Sequence, residues 1–398
     1  MASTDGTDAR SSRRLLAISA VPVNPGLDGY ALRVRGLLSE LAKRWSIVLL
    51  APADGAGAAR PAPRLPDGIE RRTFPQGIAP GPVFPPPTDV ASRLRAFVRE
   101  LVEETRPGAA LLWSGTEFLA LGEPCLPPAV ADRIDSGALT VWRGLRSTGL
   151  RRMPGALSTL ATAIRHERAM VRRIPATVVV GEDDARWLRR LGGRASVHVV
   201  PNGVLVEEPP ALAEEHAAPT VTFTGVLCYR PNVEASLRLA GEIWPSIAAA
   251  VPGARLVIAG REPLPEVLAL GSRPGVEIHA DVPDLRSVLV QAWVCVAPMW
   301  SGAGIKNKVL EAWALAKPVV LSPMAANGLA LDAATAPYVA GDVARFAERV
   351  VTLLRSAEER RKVGLASREI ALRHHGWPGA ADRIETLLER AMAAPAAG

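Results

Sequence analysis

Cysteine is scarce in this 398-residue chain: Cys125, Cys228 and Cys295 stand far apart. They form neither a paired disulfide framework nor a metal-binding spacing, so a reduced, cytoplasmic compartment is expected. Histidine is also sparse, six in all with none before His166. His374 and His375 have no third ligand at suitable spacing and are expected as a hinge or surface pair rather than a metal site. No apolar run approaches the ~20 residues that cross a bilayer. The polar start MASTDGTDARSSRR lacks the apolar core of a signal peptide. Aromatic residues make up 5% of the chain. The basic side chains are not interleaved with them and no binding motif is present, so no nucleic-acid partner is expected.

What the chain does have is apolar residues and arginine. Hydrophobic residues are 48% and charged ones 22%, a globular balance, and the length suits two or three domains with sizeable cores. Forty-two arginines stand against five lysines. Residues 1–200 hold 28 basic and 19 acidic groups, a balance of +9, whereas the remainder stands at −2. A basic first half suits an anionic partner such as a membrane surface or a phosphorylated acceptor. The arginine-rich stretch 143–173, helical in its second half, is where anionic lipid would be met. Arginines spread over solvated helix faces would give the same count.

Along the chain, short apolar runs alternate with helical patterns. Leu15 to Ser19, Trp45 to Leu50, Ala109 to Trp113, Ala129 to Ile134 and Ala176 to Val180 are expected strands. A glycine-bearing loop and a helix carrying Leu32, Leu37, Leu38 and Leu41 follow the first. Strand, glycine loop, helix, strand opens a doubly wound α/β domain. The loop 24–29 lacks the full dinucleotide fingerprint. Residues 207–218, EEPPALAEEHAA, form a linker pattern. A second α/β unit then runs through strands near Thr222, Arg255, Val276, Val294, Pro318 and Tyr338. Its first helix, Asn232 to about Trp244, is kinked or ended by Pro245. Carboxylates at strand ends of such sheets often line ligand sites, which singles out Asp132 and Asp135; an aspartate capping the next segment is the alternative.

The most informative stretch is WVCVAPMWSGAGIKNKVLEAWALAKPVVLSP, from Trp293 to Pro323. An apolar strand leads into Ser301-Gly302-Ala303-Gly304, and a helical pattern follows from about Ile305 to Leu315. Glycines let backbone approach a ligand closely, and a helix start offers free N–H groups and positive dipole charge, a seat for phosphate. Lys306 and Lys308 lie in the first turn, where acids are normally favoured. Two of the five lysines there indicate an anion; a solvated surface turn is the alternative.

GAGIKNKVLEAWALAKPVV resembles the donor-binding segment of family-4-type glycosyltransferases with the GT-B fold, in the subgroup with GxGxxxK before the ribose-binding glutamate. The likeness extends to VVPNGV at the end of the first domain, FTGVLCYRPNVEA at the start of the second and the terminal HHGWPGAADRIETLLERAM. It implies two Rossmann-like, doubly wound parallel-sheet domains facing a cleft, with the C-terminal helix crossing back. The implied divisions are 14–206 for an acceptor-binding domain, 207–218 for the linker, 219–373 for a nucleotide-sugar-binding domain and 374–396 for the crossover helix. Glu311 matches the glutamate that binds the ribose hydroxyls. The family's preceding glutamate, which touches the donor sugar, falls on Ala303, and a helix-end glycine falls on Ala316. The family's arginine and lysine for the pyrophosphate fall on Val226 and Pro231, which leaves Arg230 as the nearest cation.

The resemblance thus implies donor binding by Gly29, Arg230, Arg261, Val282, Gly302, Ala303, Gly304, Ile305, Lys306, Lys308 and Glu311. Catalytic roles fall on Lys308, Arg230 and Glu311, and acceptor binding on Asp28, Arg33 and Asp135. The implied reaction is retaining sugar transfer from a nucleotide donor to a small-molecule, glycan or lipid acceptor. It uses no metal and no cofactor beyond the nucleotide-sugar co-substrate. The lack of a histidine before residue 166 argues against an inverting histidine base in the first domain. A catalytically impaired nucleotide-sugar-binding partner and a nucleotide-sugar epimerase on the same fold are the alternatives. The expected location is cytoplasmic, with peripheral contact to anionic membrane.

Overall fold

The computed structural model describes residues 13–23, 29–53, 66–75, 86–113, 115–122, 124–145, 152–192, 196–204, 217–301 and 307–394. The chain divides into two compact units, one of Met1–Pro201 with Trp377–Gly398 and the other of Asn202–Gly376. The expected linker at 207–218 lies almost wholly outside the described residues.

The first unit is built on a seven-stranded sheet in the order β3-β2-β1-β4-β5-β6-β7, with every pairing parallel. Its strands are β1 (Arg14–Ile18), β2 (Ser46–Ala51), β3 (Ile69–Thr73), β4 (Ala109–Trp113), β5 (Ala129–Ile134), β6 (Ala176–Val179) and β7 (Val197–Val199). Parallel strands covered on both faces are continuous apolar runs. Accordingly Leu15 and Ala17 of β1 enter one core cluster, and Leu16 and Ile18 enter another. The helices are α1 (Gly29–Leu41), α2 (Thr88–Thr105), α3 (Gly137–Gly144), α4 (Met153–Arg173) and α5 (Glu182–Arg190). The sequence pattern missed α3, which Ser136 caps by accepting from the Leu139 N–H at 3.0 Å.

Helix α1 also corrects its expected apolar face. Val34, Leu37, Leu38 and Leu41 are buried, but Leu32 is 45% exposed and Arg33 fully buried. At 100° per residue Leu32 points away from the stripe set by the other four, whereas Arg33 lies on its flank.

In the C-terminal helix, α12 (Trp377–Ala393), Ala381, Ile384 and Leu388 join the core formed by α1 and the sheet. Its Trp377 ring lies so close to α1 that a Cβ on Gly36 would stand 2.2 Å from it. Only glycine admits that approach. Glu385 of α12 accepts from the buried Trp45 Nε1 at 3.0 Å and pairs with Arg13 and Arg44.

The second unit holds a five-stranded parallel sheet in the order β10-β9-β8-β11-β12. These are β8 (Thr220–Val226), β9 (Arg255–Arg261), β10 (Val276–Ala280), β11 (Val294–Ala297) and β12 (Val319–Leu321). Besides two single-turn helices, Pro265–Leu268 and Pro323–Ala326, its helices are α6 (Arg230–Arg238), α7 (Trp244–Ala250), α8 (Leu285–Gln291), α9 (Asn307–Ala314), α10 (Val343–Arg355) and α11 (Ala357–His374). Two expectations change. Pro245 does not end the helix: a π-helical segment, Leu239–Ile243, joins α6 to α7 and places Pro245 in the first turn of α7. There the missing N–H is tolerated. The expected strand at Tyr338 to Ala340 is a short 3₁₀ turn with a single bridge from Val339 to Leu321.

Candidate active site

In both sheets the strand order reverses beside the first strand of the unit, and ligands of open α/β sheets bind outside the carboxyl ends at such switch points. In the second unit this point lies between β8 and β11. The segments leaving these strands lead into α6 and α9.

Lys308, in the first turn of α9, donates from Nζ to Asn232 Oδ1 of α6 at 2.8 Å. Its ammonium also stands 3.9 Å from the ring centroid of the fully buried Phe223 of β8, a favourable cation–π contact. The Asn232 amide is fixed from its other side, because Nδ2 donates to the Val226 carbonyl at 2.9 Å. The carboxyl end of β8 is crowded against this pair. A Cβ on Gly225 would meet Asn232 Nδ2 at 2.8 Å and Lys308 Nζ at 2.9 Å. Beside Lys308, Asn307 accepts from Asn202 Nδ2 at 3.0 Å.

Glu311 lies one turn beyond Lys308 on α9. Burial raises its carboxyl pKa, and the nearby Lys308 charge pulls it back down. A partly desolvated carboxylate beside an ammonium is a strong acceptor for ligand hydroxyls. Lys308 and Glu311 therefore lie together on one face of α9. Gly302, Ala303, Gly304, Ile305 and Lys306 lie outside the described residues.

The other expected donor residues make different contacts. Arg230 sits at the start of α6 with its side chain 72% exposed, and its Nε donates to Glu234 at 2.9 Å. Glu234 also accepts from Ser301 Oγ at 2.7 Å, and these bonds keep its carboxyl below the ordinary range. The Arg230 charge is thus matched on the helix surface, and the α6 residue that bonds Lys308 is Asn232. Sequence reasoning missed Asn232 because a neutral amide gives no charge signal, while Arg230 next to a helix start does. Arg261 ends β9, where its carbonyl accepts from the Leu227 N–H at 2.7 Å. Val282 follows β10 after Asp281, whose Oδ1 accepts from the Glu262 N–H at 2.9 Å. Asp281 and Glu262 both take left-handed backbone, at φ 50° and 53°, so the turns leaving β9 and β10 are tied together.

In the first unit a second polar cluster gathers around the ends of β4, β5 and β6. Arg33 Nε reaches Asp132 Oδ2 at 2.7 Å with both side chains fully buried, and Trp113 Nε1 donates to the same oxygen at 3.1 Å. Arg33, expected to bind an acceptor, is instead fully buried against Asp132. Asp28 lies outside the described residues. Gly29 begins α1. Asp135 is half-buried at the end of β5, after Ile134, which is held at φ 64°. Left-handed backbone at a β-branched residue costs on the order of 1–2 kcal/mol, so its neighbours must hold it there. Asp135 does not cap the next helix; Ser136 does.

Those neighbours form a network. Arg133 bridges the buried Glu117 and Glu167 at 3.1 and 3.4 Å, and Ser136 Oγ donates to Glu167 at 2.9 Å. The Ser136 N–H donates to Asp184 Oδ1 at 2.8 Å, and burial raises the Asp184 carboxyl pKa. Burial pushes His166 down to about 4, with Glu117 acting against that and Arg133 with it. Among the described residues, no group of three or more His, Cys, Asp or Glu is placed to hold a metal ion. No helix among them is long and apolar enough to cross a membrane.

Residues 218–356 match the family model described as glycosyl transferases group 1. Solved structures with the same fold include sucrose-phosphate synthase from Thermosynechococcus elongatus, at 17% identity and a TM-score of 0.70 over 96% of this chain and 100% of that one. Anabaena HepE in complex with UDP-glucose matches at 14% identity and TM-score 0.63, over 95% and 99% of the two chains. The UDP-forming trehalose-phosphate synthase from Burkholderia xenovorans matches at 13% identity and TM-score 0.65, over 96% and 100%. A search of curated proteins by sequence finds no match.

The fold is therefore that of the GT-B glycosyltransferases, with two parallel-sheet α/β units and a helical C-terminus. The chain carries a glycosyltransferase group 1 domain at 218–356 and is an enzyme of the glycosyltransferase class.

Proposed function

We propose that this chain is a retaining, family-4-type glycosyltransferase that moves a sugar from a nucleoside diphosphate donor to an acceptor hydroxyl. The observation that carries this reading is the meeting of Lys308, Asn232 and Glu311 outside the switch point of the second unit. A cation beside a helix N-terminus suits a diphosphate, and a carboxylate one turn along suits the ribose hydroxyls. The family match over 218–356 and the HepE structures in complex with UDP and with UDP-glucose support the same reading.

In the reaction, the bond between the anomeric carbon and the donor phosphate oxygen breaks through an oxocarbenium-like state. The acceptor oxygen bonds to that carbon on the face the diphosphate leaves. The acceptor proton passes to the departing phosphate, and a nucleoside diphosphate is released. Lys308 neutralises the charge that develops on the leaving group, and Lys306 is its sequence-implied companion. Glu311 anchors the ribose, Val282 is the sequence-implied neighbour of the base, and Arg261 leaves the carboxyl end of β9. Gly29 and Asp135 remain the first unit's candidates for donor and acceptor contact. No metal is required, because lysine and helix N–H groups supply the positive charge. The basic first half fits an anionic acceptor or an anionic membrane surface.

One observation favours a second reading. Ala303 stands where the family's sugar-contacting glutamate is expected, which fits a nucleotide-sugar-binding partner without turnover. A thermal-shift panel of UDP-, GDP-, dTDP- and ADP-sugars, followed by a hydrolysis and transfer assay on the responder, separates the two. Stabilisation with turnover supports the enzyme, and stabilisation without turnover supports the partner. Silence across the panel in folded protein contradicts both.

A further inference from the structure

We infer that the second unit carries a small-sugar site beneath α8, on the face of its sheet opposite Phe223: a cavity that takes a neutral, hydroxyl-rich ligand the size of a monosaccharide. This site is separate from the donor site of the proposed function and does not depend on it.

β8 is the central strand of the five-stranded sheet, where both faces are normally apolar. Here only one is. Val221 and Phe223 enter the core, whereas Thr220 and Thr222 alternate with them and stand on the other face. The parallel register sets Arg255 and Val257 of β9 beside those threonines, and Glu277 of β10 beside Val257. Helix α8 packs over β8 and β9 on this side without filling the space. What remains is a cavity of about 300 Å³, bordered by Ser287, Val288 and Gln291 of α8 and by His279 and Val282 at the β10 end. Ligand sites begin at about that size, which suits a monosaccharide and is too small for a nucleotide sugar. Lys308 lies elsewhere, against the Phe223 ring.

The polar groups of the cavity specify the ligand. Thr222 is 1% exposed, and its Oγ1 has no hydrogen-bond partner among the described residues. A buried hydroxyl left unpaired is costly, and the strand pleat turns this one toward the cavity. Two further hydroxyls already donate to carbonyls: Thr220 Oγ1 to Ala218 at 2.8 Å and Ser287 Oγ to Asp284 at 2.7 Å. Each therefore offers a ligand lone pairs, which call for O–H donors. Charge is not called for. Arg255 Nε donates to Glu277 Oε1 at 2.7 Å, and this bond holds the Glu277 carboxyl below its ordinary range, so the pair is ionised and matches itself. An anion would have to displace Glu277, and a cation would have to displace Arg255. Val257, Val282 and Val288 supply apolar surface for the C–H face of a sugar ring.

The test is saturation-transfer NMR of the full-length chain titrated with D-glucose, D-galactose and D-mannose, repeated with Thr222→Val and Val288→Phe. Thr222→Val keeps the branched shape and removes the hydroxyl. Val288→Phe fills the space from α8, so either variant that folds decides the matter if the other does not. The expected result is binding of at least one hexose to the parent, weakened about tenfold in Thr222→Val and abolished in Val288→Phe. Excess UDP, or the diphosphate the donor panel selects, should not displace the hexose, and neither should excess inorganic phosphate. A folded parent that binds no hexose, or binding that a folded variant retains unchanged, would overturn the site and show the cavity to hold water alone. Displacement by the nucleotide would assign the sugar to the donor site instead, and displacement by phosphate would make this an anion site; each also overturns the inference. None of these outcomes bears on whether the chain binds a nucleotide sugar, which the donor panel reads separately.

Discussion

The pair Arg33–Asp132 allows a sharp test, because it separates a structural ion pair from a ligand-binding one. Both side chains are fully buried at 2.7 Å, and Trp113 Nε1 adds a third bond. Removing one partner of a buried pair strands the other charge away from water, at a cost of about 3–5 kcal/mol. Asp132→Leu alone should therefore destabilise the first unit by about that amount, or roughly 6–20 °C in Tm for a unit of this size. The paired replacement Arg33→Met with Asp132→Leu removes both charges and refills the space with apolar atoms, a change that is often neutral or stabilising. Differential scanning calorimetry of the two variants gives the energies, and transfer activity of the double variant gives the function. The double variant should regain most of the lost stability and keep its acceptor KM. If it is as unstable as the single variant, the pair is not the isolated electrostatic unit described. If it is stable but its acceptor KM has collapsed, Arg33 reaches the acceptor after all.

Three further predictions follow from buried or strained groups. Glu311 has a raised pKa through burial, and a bound ribose would favour its charged form; donor affinity should fall as pH drops through that raised value, and binding near it should release protons, which calorimetry in buffers of different ionisation enthalpy detects. His166 is depressed to about 4, so its contribution to stability is complete above its ordinary value near 6.5, declines as pH falls toward 4 and then levels. The loss is at most about 3 kcal/mol, and His166→Gln should flatten it in urea titrations at pH 7 and pH 5. Ala316, at φ 54° just past the end of α9, takes the place where glycine usually ends a helix; Ala316→Gly should stabilise the chain by about 1 kcal/mol, or roughly 2–4 °C in Tm.

Much of this architecture was legible in the sequence for a physical reason. Strands buried on both faces of a parallel sheet, such as Ala109–Trp113 and Val294–Ala297, are unbroken apolar runs, and the helices between them keep a 3.6-residue period. What failed was whatever depended on a partner distant in sequence. Arg33 reads as a cation for an acceptor until the fold sets Asp132 against it, 99 residues away. Pro245 reads as a helix end until a π-helical segment absorbs it. At the site, Lys308 and Glu311 were legible because they share one short motif. Asn232 was not, since its role exists only once α6 and α9 are brought together at the switch point.

The central claim is that Lys308 and Glu311 form a nucleoside diphosphate site. Its most direct test is the affinity of the selected nucleotide sugar for the parent chain, Lys308→Ala and Glu311→Ala, with each variant shown to be folded. The account predicts losses of about tenfold or more in each variant, with Lys308→Ala sensitive to the diphosphate and Glu311→Ala to the ribose hydroxyls, so that a 2′-deoxyribose donor loses less in the second. Affinity and turnover unchanged in both variants would contradict it.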